Sequence, residues 1–271
     1  MGLINGLTQG LTQGLNNGLN DGVNQGVFNG LISDPMAPVF KLSKKTLRCW
    51  YHLEDLTDSS GNGKTLTNYL SNVSFNPARF YNGADYGTVQ PNKSITLSSN
   101  PLTSTYVPNI TKSFWFKLND TSNTTGFRLS ELNTVLLGGS GSISLWTLYV
   151  ISAGVLKIYS YLAPNGNSGF QQPTIGTANT TTWYHVVTTK TPNKLTTYVN
   201  GVAVGQWNYQ QESSAGVGSP FNLTIGSRDL VDSLQAKAIF DEYILDEKAW
   251  SDKDVWLYYS NMIQGRMPIL I

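Results

Sequence analysis

Three groups of residues in this 271-residue chain have side chains that could do chemistry. The first is a pair of adjacent carboxylate doublets, Asp241-Glu242 and Asp246-Glu247. Glycoside hydrolysis needs two carboxyls on one side of a cleft, about 5–9.5 Å apart, acting as acid and as nucleophile or base. Both doublets lie in a strand-like run, where neighbouring side chains point to opposite faces. That arrangement argues against hydrolysis, and no catalytic residue is predicted. The second group is His52 and His185, the only two histidines. They lack metal-ligand spacing, no nucleophile motif accompanies them, and both read as ordinary strand residues. The third is the loop Asp58-Ser59-Ser60-Gly61-Asn62-Gly63, dense in side-chain oxygen. Taken by itself it reads as an Asx turn, with Asp58 accepting backbone N–H groups and the glycines supplying left-handed backbone.

Binding chemistry is a better prospect than catalysis. Trp146, Tyr149, Tyr161 and Trp207 could stack on sugar rings, although most aromatics of a sandwich belong to its core. The loop Ala163–Gln172, "APNGNSGFQQ", is a candidate border of a binding face. Eighteen basic and seventeen acidic residues give a net charge of +1, which offers no electrostatic footprint for nucleic acid. The single Cys49 excludes an internal disulfide and a cysteine metal cluster, and is read as a small buried apolar residue.

The elements that must position these residues are short and mostly β. Ser113–Leu118, Ser144–Tyr149, Leu156–Tyr159 and Trp183–Val187 alternate as strands do. Leu195–Val199, Asn200-Gly201 and Val202–Val204 predict a hairpin, because Asn-Gly suits a type I′ turn. Ser251–Tyr259 is the one helix expected in this region, capped by Ser251 with Asp254 three residues on. Many short strands and almost no helical periodicity predict an all-β antiparallel sandwich.

Ahead of it stands a different kind of sequence. Residues 1–33 repeat in fours, with Gly2, Gly6, Gly10, Gly14, Gly18, Gly22, Gly26 and Gly30 each followed by Leu or Val and usually closed by an amide. Collagen needs a period of three. A helix separates the Gly/Leu columns from the amides, so the segment is read as helical. Eight helical glycines cost roughly 8 kcal/mol relative to alanine, and close backbone approach along the Gly column is the expected compensation. The repeat is therefore expected to be an anchor or oligomerisation segment. Residues 34–44, opened by Asp34-Pro35, are expected to be a linker, 45–262 the sandwich and 263–271 an apolar tail that packs on a neighbour.

Trp50-Tyr51-His52-Leu53 followed by Asp58–Gly63 resembles the opening of laminin-G-like, concanavalin A-like lectin domains. Thr182–Val187 with Leu195–Gly201, then Ile225-Gly226-Ser227-Arg228, then Phe240–Leu245 and the closing helix, continue the pattern in order. The resemblance implies a two-sheet jelly roll and a binding role. It also implies one structural calcium at the Asp58 loop, with Asp58, Asn62 and Asp241 as its ligands, and no other cofactor.

The combined reading is a virion structural protein, most simply of a bacteriophage: a spike, fibre head or decoration. Its lectin-like domain would face a host surface or glycan, and its repeat would join copies of itself or capsid or tail proteins. No apolar run is long enough to span a membrane, and no basic n-region precedes the leader, so synthesis in a host cytoplasm is expected. A cellular glycan-binding adhesin at the cell surface is the alternative, and a glycosidase the third reading.

Overall fold

A computed structural model describes residues 38–69, 72–88, 94–97, 101–102, 107–122, 127–134, 144–163, 169–171, 173–209, 221–227 and 235–271. The tetrapeptide repeat, with its eight glycines, lies outside the described residues. The strands are β1 Lys41–Leu42, β2 Leu47–Tyr51, β3 Thr67–Tyr69, β4 Ser74–Pro77, β5 Asn82–Asp85, β6 Ser94–Leu97, β7 Ile110–Leu118, β8 Phe127–Thr134 and β9 Ser144–Ser152. They continue as β10 Val155–Ala163, β11 Gly169–Gln171, β12 Thr174–Thr177, β13 Trp183–Thr191, β14 Lys194–Val199, β15 Val202–Asn208, β16 Phe221–Ile225, β17 Ala238–Asp246 and β18 Ile269–Leu270. Among the described residues one helix, α1, runs Asp252–Ile263.

Two antiparallel sheets make the jelly-roll sandwich that the sequence predicts. The first has the order β15-β14-β13-β7-β17-β5-β4, with β2 also on β17. The second has the order β11-β10-β9-β8-β16-β6-β3, with β12 also on β10. Phe114, Phe116, Phe240, Tyr243, Leu145, Tyr149, Ile158 and Leu223 interleave between them in the main core. Several polar groups inside the sandwich are paired across it. Buried Lys112 donates to the carbonyls of Ser130 (3.3 Å) and Leu145 (3.0 Å), tying the first sheet to the second.

The first sheet is covered on its other face as well. Trp115, Val187, Tyr198 and Ile244 meet Trp250, Val255, Tyr258 and Met262 in a second core. This is why β17 is buried at all nine positions instead of alternating. Ser251 caps α1 in the predicted capping box with Asp254. Asn200 and Gly201 both have positive φ, as the I′ turn requires.

The chain ends correct the expected domain limits. Residues 38–44 are part of the fold and not a linker. Phe40 packs edge-on against Trp250 at 4.9 Å, and its N–H donates to Asn261 Oδ1 at 3.0 Å. The C-terminal segment, expected to pack on a neighbour, pairs with this chain instead, Ile269 with Lys41 and Leu270 with Leu42 in parallel. Segments this short carry no periodicity, and each finds its partner at the opposite end of the sequence, so neither was visible beforehand.

Gly226 shows why the Ile-Gly-Ser segment is constrained. Its φ is +76°, and an added Cβ would lie 2.3 Å from the Tyr86 ring. Gly154, in the β9–β10 turn, has φ +75° with open space around it. Gly226→Ala is therefore expected to lose about 3 kcal/mol or more, and Gly154→Ala only the backbone share, about 1 kcal/mol. Urea unfolding of both variants checks this; equal losses would mean that the Tyr86 contact is not tight.

Candidate functional site

Each predicted site residue has a definite place. The Asp58 loop is stapled along the edge of β2. Asp58 Oδ1 accepts from Trp50 N (3.0 Å) and Ser60 N (2.9 Å), and Oδ2 from Ser60 Oγ (2.8 Å) and Lys64 N (3.0 Å). Asn62 turns its amide NH2 inward, onto the carbonyls of Leu47 (2.9 Å) and Arg48 (3.1 Å). Asp241 lies in β17, where its Oδ2 accepts from Arg79 N (3.1 Å) and Phe80 N (3.0 Å). No hydrogen bond joins it to Asp58 or Asn62 among the described residues. Calcium needs six to eight oxygen acceptors, whereas this loop presents donors to the one carboxylate it holds. The three residues do not fit a calcium ion; Asp58 and Asn62 close an Asx turn that covers a strand edge.

The acidic doublet departs from the expected alternation. A register shift between Asp241 and Ile244, with Glu242 at φ +53°, is a β-bulge. The extra residue turns Asp241 and Glu242 to the same face, both fully buried beneath α1. Glu242 accepts from Trp50 Nε1 at 2.8 Å and pairs with His52 Nδ1 at 2.5 Å. Burial would lower His52, but the hydrogen bond and charge of Glu242 outweigh it and raise its pKa. Burial, and then the charge of Glu242, push the Asp241 carboxyl up to about 7. Two carboxyls on one face are what acid–base hydrolysis uses, yet both of these are fully buried.

His185 is equally closed off. Its ring stacks on Trp115 at 4.8 Å and Tyr259 at 5.9 Å, and Nε2 meets Ser113 Oγ at 2.8 Å. Burial, and then the Arg79 charge, push its pKa down to about 3, so it stays neutral. The turn residue Asn200 holds its backbone, accepting from His185 N at 2.9 Å through Oδ1 and donating from its own N–H to His185 O at 2.8 Å. Cys49 is buried as read, and burial pushes its thiol up.

What the structure offers to solvent is the outer face of the second sheet. In β9 and β10, Leu145, Tyr149, Ile151, Leu156, Ile158 and Leu162 point inward. Trp146, Leu148, Val150, Lys157, Tyr159 and Tyr161 alternate outward and are half-buried. Of the four aromatics named from sequence, Tyr149 is core and Trp207 packs against Tyr209 at 5.1 Å. Trp146 and Tyr161 are brought together, stacked at 4.1 Å and 19°. Arg128 completes the ladder, its guanidinium 3.8 Å above Trp146. Arg128 was not legible from sequence, because the β8–β9 register that places it near Trp146 is shifted by a bulge. The described part of the Ala163–Gln172 loop includes β11, whose Phe170 stands in register with Tyr161.

A family model described as the concanavalin A-like lectin/glucanases superfamily matches residues 87–255, more than half of the chain. The chain belongs to this superfamily. No curated protein matches it in sequence. Among solved structures, this lectin-like domain is similar to the botulinum neurotoxin serotype D binding domain (18% identity, TM-score 0.60, 81% of this chain and 53% of that one). It is also similar to domain 4 of AbnA, an extracellular arabinanase from Geobacillus stearothermophilus crystallised with arabinotriose (18% identity, TM-score 0.55, 81% and 98%). A third is the binding domain of Paraclostridial Mosquitocidal Protein 1 (14% identity, TM-score 0.55, 80% and 52%). The chain spans about half the length of the toxin binding domains, and at these identities the likeness shows the shared fold. No helix among the described residues is long and apolar enough to cross a membrane.

Two outcomes follow from the polar groups of the lectin-like domain. Removing the Asp58 carboxylate strands four donors, so Asp58→Ala is expected to lose roughly 2–3 kcal/mol. Millimolar calcium should leave the wild-type Tm unchanged, and a rise of several degrees would restore the metal. The second outcome concerns pH. Asp241 binds a proton more tightly folded than unfolded, so its contribution to stability grows as pH falls from about 7 towards its ordinary 3.8. His185 does the reverse, because the unfolded chain takes up a proton near pH 6.5 that the folded chain refuses until about 3. Between pH 6.5 and about 4.5 these two contributions offset each other in the wild-type protein. Asp241→Asn removes one side only, so that variant should lose stability on acidification relative to the wild type, with a slope difference approaching 1.4 kcal/mol per pH unit in urea titrations. Parallel profiles for both proteins would show that Asp241 is ionised throughout this window.

Proposed function

We propose that the chain is a non-catalytic glycan-binding module, displayed in several copies on a virion surface and held there by its N-terminal repeat. The observation that carries the binding role is the ladder of buried Arg128 with half-buried Trp146 and Tyr161 on the outer face of the second sheet. Neither hydrophobic core reaches that face, so its aromatic groups stand where a ligand can meet them. The buried state of Asp241 and Glu242 supports a role without hydrolysis. The display role rests on the repeat, whose glycine column suits close packing between chains, and on the amide-rich, weakly charged composition. A module of a secreted or cell-surface protein is the second reading, favoured by the fold shared with toxin binding domains and a domain of an extracellular arabinanase.

Binding to a glycan panel and mass in solution test the two halves together. Trp146→Ala and Tyr161→Ala should each abolish binding while leaving the Tm within a few degrees. The full chain should be oligomeric, and a chain starting at Ala37, or one with bulky residues for Gly10, Gly14 and Gly18, monomeric and folded. Unaltered glycan binding in both aromatic variants would remove the ladder from the function. A monomeric full chain would remove self-assembly.

A further inference from the structure

The same face carries an inference about which glycan it takes, resting on the glycan-binding reading. Register arranges the outward residues of β9 and β10 in three cross-strand rows: Trp146 with Tyr161, Leu148 with Tyr159, and Val150 with Lys157. Rows on one face are two residues apart, so the first and third are separated by about 13–14 Å. The strip is long enough for a short oligosaccharide lying along the strands.

Both faces of Trp146 are occupied, by Tyr161 on one side and by Arg128 on the other. A pyranose cannot stack on the indole, so the ladder meets its ligand through its upper edge. What that edge offers is donors. The indole N–H and the lysine ammonium donate and cannot accept, while the tyrosine hydroxyls do either. Among the described residues, neither the Trp146 N–H nor the Lys157 ammonium makes a hydrogen bond or ion pair. Strands β9 to β12 contain no Asp or Glu. The acid in β8, Glu131, stands in register with Trp146, at the opposite end from Lys157.

We propose that this face binds an anionic oligosaccharide, with its chain over the Trp146–Tyr161 edge and a carboxylate on the Lys157 ammonium. The ammonium of this half-buried lysine, with no partner among the described residues, gains a charge-assisted hydrogen bond to such a carboxylate. An uncharged sugar gives that end of the strip no equivalent.

The test is calorimetry on the full chain with matched pairs: uronate- and sialate-bearing trisaccharides and their methyl esters. At least one acid should bind about tenfold more tightly than its ester. That advantage should shrink at high salt, vanish in Lys157→Ala and survive in Lys157→Arg. If acids and esters bind equally and Trp146→Ala abolishes both, the anionic preference is wrong and the glycan-binding reading stands. If the acid preference persists in Lys157→Ala, the cation is elsewhere and the proposal falls. If no member of the set and no glycan of a wider panel binds, the reading beneath it falls too.

Discussion

The structure depends on one constraint: the first sheet is covered on both faces. Strands β7, β13 and β17 carry apolar side chains toward the main core and again toward α1 and the chain ends. Any polar group on them has to be paired or kept neutral, because an unpaired buried charge is far more costly than a paired one. His185 held neutral against Ser113, Glu242 bound by Trp50 and His52, and Asp241 taking two amides are local answers to that demand. Chemistry that needs solvent is thereby excluded from these residues. Among the described residues, no second core forms on the outer face of the second sheet, the face proposed to meet a ligand.

This separation explains which sequence features could be read in advance. The segments resembling the lectin family are those under the tightest local demand. Asn200-Gly201 forms a turn that grips the His185 backbone, and an added Cβ at Gly201 would lie 2.8 Å from Trp256 and Tyr259 of α1. Gly226 lies beneath the Tyr86 ring, whose hydroxyl in turn donates to the Ile225 carbonyl. The Asp58 loop covers a strand edge. Such requirements fix residue types at fixed offsets, and a single sequence displays them.

Other features depend on contacts that no local pattern encodes. The β17 bulge cannot be seen in Phe-Asp-Glu-Tyr, so strict alternation placed Asp241 and Glu242 on opposite faces when they share one. The chain-end pairing joins residues from opposite ends of the sequence. Trp146 and Tyr161 were two aromatics among many until the β9–β10 register made them neighbours. The calcium ligands carried over residue by residue meet a related difficulty at Asp58 and Asn62. An oxygen-rich loop and a donor-lined turn use the same letters, and only the direction of each N–H tells them apart.

The central claim is that ligand meets the second sheet while the first stays sealed. Hydroxyl-radical footprinting of the full chain, with and without a glycan that binds it, tests this most directly because oxidation follows side-chain accessibility. The account predicts that Trp146, Tyr159 and Tyr161 are oxidised in the free protein and protected by the glycan, with Trp50, Trp115 and Tyr258 resistant in both states. Protection confined to other loops, or free oxidation of Trp115 and Tyr258, would contradict it.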